Sequence, residues 1–119
     1  MTIEEFYATF DPSGNEYANV MGRLATERLV NKYLNKMLDD KSYGNLKQAV
    51  ADGDYKTAFM ASHTIKGICM NLNLKPLADS SDALTEELRN DPDAGKVEEL
   101  LKQVEKDYEF VADGIRSIG

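Results

Sequence analysis

The fold is decided by residues 96–118, KVEELLKQVEKDYEFVADGIRSI, which carry the clearest apolar pattern in the chain. Their apolar side chains recur at steps of three and four residues, which is the spacing of one face of an α-helix. This stripe consists of Val97, Leu101, Val104, Tyr108, Val111, Ile115 and Ile118. It predicts a helix of about six turns with one buried face, and Asp93 stands where it can cap the first turn.

Helical spacing extends over most of the chain, and the strict alternation of apolar and polar residues that would indicate strands is absent. At the amino terminus, Thr2 with Glu5 and Ser13 with Glu16 match the S/T-x-x-E capping box. These two boxes predict short helices at about residues 2–10 and 15–22.

Local signals also divide the rest of the chain into helices. A long helix is predicted from about residue 26, and the pattern is compatible either with one helix to residue 52 or with a break at Ser42-Tyr43-Gly44. Asp54 is placed to cap the next helix, Asn73 to end it in a left-handed conformation, and Pro76 to occupy the first turn of its successor. The later helices are expected at about residues 55–72, 76–90 and 93–118.

Four main helices with short connections predict an all-α fold, an antiparallel up-down-up-down four-helix bundle. The bundle is expected over about residues 26–118, with the short amino-terminal helices at about 2–22. A chain of 119 residues is expected to form a single domain, residues 1–119. That length excludes a (β/α)₈ barrel, a two-half dinucleotide-binding fold and a kinase catalytic domain.

Charge and composition narrow the class of partners and the location. The chain has 14 Lys and Arg residues against 21 Asp and Glu residues, so a nucleic-acid partner is not expected. The single cysteine cannot form an internal disulfide, which fits a reducing cytoplasm. No signal peptide and no apolar run of about 18 residues is visible, so no membrane association is expected.

Residues 55–72 have an unusual outer face when drawn as a helical wheel. The face opposite His63 carries the expected core residues Ala58, Ala61, Ile65, Ile68, Cys69 and Leu72. The face around His63 should be polar if it met only water, yet it combines apolar and basic side chains. The candidate docking residues on and beside this face are Lys56, Phe59, Met60, Met70 and Asn71. Three explanations are open: the bundle is irregular, neighbouring helices such as the amino-terminal ones cover part of this strip, or the strip is a docking surface.

Gly67 favours the docking surface. A glycine inside a helix costs about 1 kcal/mol relative to alanine, so its presence needs a reason. It stands one turn beyond His63 on the same face, where the missing side chain would let a bulky partner approach the imidazole. A close helix–helix contact is the alternative, but Gly67 points away from the predicted core.

His63-Thr64-Ile65-Lys66-Gly67, followed by Leu72 and Leu74, resembles the H-x-L-K-G-x-x-x-x-L-G-x motif of histidine-containing phosphotransfer (HPt) domains. The order of predicted helices is also similar over about residues 15–118. Two positions depart from the family pattern. Asn73 replaces the glycine after the leucine, and Ile68, Cys69 and Met70 follow Gly67 where small residues are common. Bulk at Met70 is expected to influence the choice of partner.

The resemblance implies a phosphoryl carrier rather than an enzyme with its own ATP site. His63 would be the phospho-acceptor, Lys66 would lie beside the phosphate, and Gly67 would provide clearance. An imidazole suits this role because it is largely neutral at pH 7 and offers a free ring-nitrogen lone pair. The partners implied are a response-regulator receiver domain and a sensor or hybrid histidine kinase. The chain is expected to be a monomer without a cofactor of its own, with Mg²⁺ supplied by the receiver.

Other functions find less support in the sequence. A di-iron bundle needs Glu-x-x-His pairs on facing helices, and a zinc site needs more ligands than one histidine and one cysteine offer. No Gly-rich phosphate loop is present, and nothing supports a hydrolase triad. Cys69 is expected to be a buried apolar residue. The alternative that remains is a non-catalytic helical module that binds receiver domains without phosphotransfer.

Overall fold

A computed structural model describes all residues, 1–119. The fold is all-α without strands, as predicted, and the chain forms seven helices. The helices are α1 (Ile3–Ala8), α2 (Asn15–Leu24), α3 (Glu27–Asp39), α4 (Ser42–Ala51), α5 (Tyr55–Asn71), α6 (Lys75–Arg89) and α7 (Ala94–Arg116).

The first long helix of the bundle is broken into α3 and α4, so the alternative of one continuous helix to residue 52 is wrong. The break lies at Asp40, whose backbone is extended (ψ 138°), and not at Ser42-Tyr43-Gly44. Lys41 is the N-cap of the next helix, and the Asp40 carboxylate accepts the backbone N–H of Ser42, its first residue, at 2.8 Å. Gly44 lies inside α4. A short polar side chain that hydrogen-bonds to nearby backbone competes with continuation of a helix, and α3 ends at such a residue, Asp40.

Most of the predicted helix caps form. Thr2 and Glu5 make the reciprocal capping box, Asp54 accepts the N–H of Thr57, and Asp93 accepts the N–H of Lys96. Asn73 ends the fifth helix with φ at 56°.

The second capping box was predicted wrongly. Gly14, not Ser13, is the N-cap of α2, and it has no side chain that could accept an N–H of the first turn. The carboxylate of Asp11 instead accepts the N–H groups of Ser13 and Glu16, at 3.3 and 2.7 Å. Asp11 replaces the Ser13 hydroxyl as acceptor for Glu16 because a charged acceptor makes the stronger hydrogen bond, and the Ser13 hydroxyl accepts the N–H of Asn15 at 3.3 Å.

All seven helices contribute buried residues to the core. Helices α4, α5, α6 and α7 pack in sequence order, and α7 also contacts α3 and α4. The inner stripe of α7 is buried at Val97, Leu101, Val104, Val111 and Ile115, as its spacing predicted. Burial of such side chains is the main stabilising contribution to a bundle of this kind.

The amino-terminal helices pack against the end of the bundle where α5 stops. The hydroxyl of Tyr7 donates to the carbonyl of Leu72 at 2.6 Å, and the guanidinium of Arg23 donates to the carbonyls of Met70 and Asn71 at 2.8 Å. These bonds satisfy carbonyls at the end of α5 that have no partner within the helix. The outer face of the middle of α5 is left uncovered. No helix is both long enough and apolar enough to span a bilayer.

Candidate functional site

His63 lies in the middle of α5 and is exposed to solvent. The opposite face of the helix is buried at Ala58, Ala61, Ile65 and Cys69, so the wheel predicted the orientation of the helix correctly. The helix is held at its start by Asp54, whose carboxylate binds the Thr57 hydroxyl at 2.7 Å and the Thr57 N–H. The Thr57 hydroxyl and N–H hold the pKa of Asp54 below its ordinary value, and the cap therefore stays ionised at neutral pH.

Gly67 leaves an open space one turn beyond His63. A Cβ atom placed on Gly67 would have no atom within 4 Å, once the helix's own backbone is set aside. The glycine therefore serves no close helix–helix contact, which was the structural alternative. The open space is on the exposed face that carries His63.

Phe59 lies one turn before His63, on the side away from Gly67, and Arg89 packs on the Phe59 ring. The rings of Phe59 and His63 lie parallel, with centroids 6.0 Å apart, and the guanidinium of Arg89 lies 5.2 Å from the centroid of Phe59. Arg89 comes from α6, and Glu86 of the same helix binds it at 3.0 Å and raises its pKa. Arg89 could not be found from the sequence, because nothing in the spacing of α6 shows that its end reaches Phe59.

Lys66 is bound to an acidic residue of the neighbouring helix. Its ammonium lies 2.7 Å from a carboxylate oxygen of Asp82 in α6. The Lys66 side chain is 24% exposed and the Asp82 side chain 49% exposed. Lys66 is thus not a freely solvated surface lysine, although its predicted contact with a phosphate stays a prediction. Asp82 was not singled out from the sequence, where acidic residues on an outer face are common.

Ser62, next to His63, turns inward and fixes α5 against α6. Its hydroxyl is fully buried and lies 3.0 Å from the carbonyl of Ser81 and 2.8 Å from the hydroxyl of Thr85. Thr85 in turn donates to the carbonyl of Ser81 at 2.6 Å. A satisfied polar cluster in a core resists sliding of the two helices, because displacement would leave buried groups unpaired. The sequence does carry a signal for it: Ser81 and Thr85 interrupt the apolar stripe of α6.

The predicted docking residues share the exposed surface around His63. Met60 and Met70 are 63% and 55% exposed, Lys56 and Asn71 are exposed, and Phe59 is partly buried. Beyond Asn71 the surface continues into a cleft of about 410 Å³ between α2, α3 and the end of α5. Apolar and basic side chains line much of this cleft, among them Arg23, Leu24, Tyr33, Lys36 and Ile68.

Cys69 is fully buried in the core, as expected. Burial raises the pKa of its thiol to about 12, so the thiol stays protonated and unreactive at neutral pH. No group of three or more histidine, cysteine or acidic side chains is placed to hold a metal ion.

The model of the Hpt domain family matches residues 28–113, which is well over half of the chain. The chain belongs to the Hpt domain family. Hpt domains are phosphocarrier modules of two-component signalling that interact with receiver domains and histidine kinases. The match spans α5, with His63, Lys66 and Gly67, and it confirms the family resemblance seen in the motif. Comparison with curated proteins and with solved structures found no match.

Proposed function

We propose that this Hpt domain relays a phosphoryl group between receiver-domain aspartates through His63. The observation that carries the proposal is the exposure of His63 in the middle of α5, with open space beside it at Gly67. A receiver domain has to bring a phosphorylated aspartate in line with the imidazole, and only an uncovered helix face permits that approach.

The transfer exchanges one bond to phosphorus for another. A ring nitrogen of His63 uses its lone pair to attack the phosphorus of the aspartyl phosphate. The P–O bond to the aspartate breaks, and its electron pair stays on the carboxylate of the receiver. The reverse sequence delivers the group to a second receiver. This chain supplies the nucleophile, and the receiver supplies its aspartate and Mg²⁺, so the chain needs no cofactor and no ATP site of its own.

Charge stabilisation would come from basic side chains on and beside this face of α5. Lys66 follows His63 at i+3, a spacing that puts two side chains on neighbouring positions of a helix surface. Its ammonium would bind phosphoryl oxygens as a compact charge. Arg89 adds a second cation beyond Phe59.

The docking surface would consist of the apolar and basic side chains around His63. Met60 and Met70 offer adaptable apolar contact area, and Lys56 adds a positive rim in a chain whose net charge is −7. A positive rim complements the acidic pocket in which a receiver holds its aspartate and metal ion. The proposed setting is a cytoplasmic monomer that meets a kinase and receivers in turn.

The test is transfer of label from a phosphorylated receiver domain. The wild-type chain should acquire a label that is labile in acid and stable in base, which is the signature of phosphohistidine, and His63→Gln should acquire none. Equal labelling of the variant would overturn the assignment. A wild-type chain that binds its receiver but stays unlabelled would instead support the non-catalytic docking module.

A further inference from the structure

We propose that Asp82 is a positioning residue that binds the Lys66 ammonium and so limits how tightly the chain holds a phosphoryl group on His63. The proposal rests on the proposed function of His63 and adds a residue of α6 to that site. It starts from the ion pair of Lys66 with Asp82, which joins the phosphotransfer helix to its neighbour.

This ion pair differs from the others in the molecule. At 2.7 Å it is the shortest of the five, and Lys66 in it is less exposed than any other lysine or arginine of an ion pair. The pairs Lys75–Asp79 and Glu86–Arg89 each lie within one turn of α6, and their basic side chains are 64% and 46% exposed. A partly buried pair is screened less by water and salt than an exposed one.

A phosphoryl group on His63 would compete with Asp82 for the same ammonium. Lys66 follows His63 by three residues, so phosphoryl oxygens would lie within reach of its side chain. The carboxylate of Asp82 already neutralises Lys66 and would also repel an anionic phosphoryl group nearby. Both effects act in the same direction and destabilise the phosphorylated chain relative to the unphosphorylated one.

The consequence is a phosphohistidine that passes its group on readily. When the phosphorus moves to a receiver carboxylate, the ring nitrogen of His63 recovers its lone pair and Lys66 pairs fully with Asp82 again. The restored ion pair favours the unphosphorylated chain. Asp82 therefore shifts the equilibrium of transfer toward the receiver, which suits a carrier and would not suit a store of phosphoryl groups.

The test measures the equilibrium ratio of phosphorylated chain to phosphorylated receiver after the two are mixed. We expect Asp82→Asn to raise this ratio about three- to tenfold, the range of a charge-assisted contact that is partly screened. Asp79→Asn is the matched control, because it removes the same charge from the same helix at an exposed pair. It should leave the ratio unchanged, and Asp82→Glu should return the ratio toward the wild-type value.

The Lys66→Met background tests whether Asp82 acts through Lys66. There, Asp82→Asn should change the ratio much less than it does in the wild type, and thermal melting should show that every variant is folded. An unchanged or lowered ratio in Asp82→Asn, or an undiminished effect in the Lys66→Met background, would overturn the role of Asp82 while leaving phosphotransfer by His63 standing. A wild-type chain that never becomes labelled would overturn both proposals.

Discussion

Gly67 in α5 and Gly114 in α7 are both glycines inside long helices, but their surroundings are opposite. A Cβ on Gly67 would meet nothing within 4 Å, whereas a Cβ on Gly114 would lie 2.5 Å from a ring carbon of Phe6. Each glycine carries the same cost in helix propensity, about 1 kcal/mol relative to alanine. At Gly114 the missing side chain admits a buried ring of the same chain. At Gly67 it keeps a space open on the outer surface.

The comparison separates a glycine that stabilises the fold from one that we assign to function. Phe6 is fully buried against Tyr7 and Phe10 in edge-to-face pairs, so the space beside Gly114 is used in the folded chain. The space beside Gly67 is not used by the chain at all. Gly22 and Gly44 also face open space inside helices, so empty space alone does not indicate a function. Gly67 differs because it lies one turn beyond the exposed His63, and there we assign the helix cost to a requirement outside the monomer.

The largest effect is expected from filling the open space with a long side chain. Gly67→Met should slow phosphotransfer from a receiver by about a hundredfold, because a displacement of roughly 1 Å in a reacting complex can cost that much. The free energy of unfolding should not fall. Rapid-quench transfer assays and urea denaturation measure the two quantities.

Gly44→Met is the control for this variant. Gly44 also has open space around it and lies in α4, a different helix from the one that carries His63. Transfer should be unaffected there. A comparable slowing at both positions would show that added bulk, and not its place beside His63, is responsible.

A smaller effect, on stability, is expected from Gly114→Ala. The added methyl group would press on the Phe6 ring, and overpacking of this kind lowers the free energy of unfolding by about 1–3 kcal/mol. The loss should appear as a lower midpoint in urea denaturation. In the Phe6→Ala background the same substitution should cost nothing, because the ring is gone. A loss that persists in that background would refute the close-contact explanation of Gly114.

The smallest effect is expected from Gly67→Ala, which should raise the free energy of unfolding, whereas Gly114→Ala should lower it. Alanine fits the open space and improves helix propensity, so the free energy of unfolding should rise by about 0.5–1 kcal/mol. Transfer should slow less than in Gly67→Met, since a methyl group blocks less of the approach. If Gly67→Ala destabilised the chain, Gly67 would belong with Gly114 as a packing glycine.

Features that depend on neighbouring residues were predictable from the sequence. The stripe of α7, the caps at Asp54 and Asp93 and the left-handed Asn73 all formed as expected. Each depends on a spacing or a hydrogen bond within a few residues of the chain. The errors at Ser13 and Ser42 are also local, and at both places an aspartate, Asp11 or Asp40, accepts a backbone N–H in the first turn of the following helix.

The residues of the candidate site likewise fall into those that the sequence reveals and those that it does not. His63, Lys66 and Gly67 were found because they lie within five residues of one helix, and the exposed face of that helix followed from the apolar face opposite. Ser62, Asp82 and Arg89 were missed because their roles depend on α6, whose register against α5 no spacing within α6 reveals.

The sequence by itself determined that this chain is helical, which faces of its helices are apolar, and which family motif its single histidine belongs to. These properties follow from the period of the helix and from short-range hydrogen bonds, so they can be recognised in the linear sequence. Only the tertiary structure decided that Gly67 faces open space while Gly114 receives Phe6, and that Lys66 is bound by Asp82. Those facts depend on which helices become neighbours, which is decided by packing of the whole core.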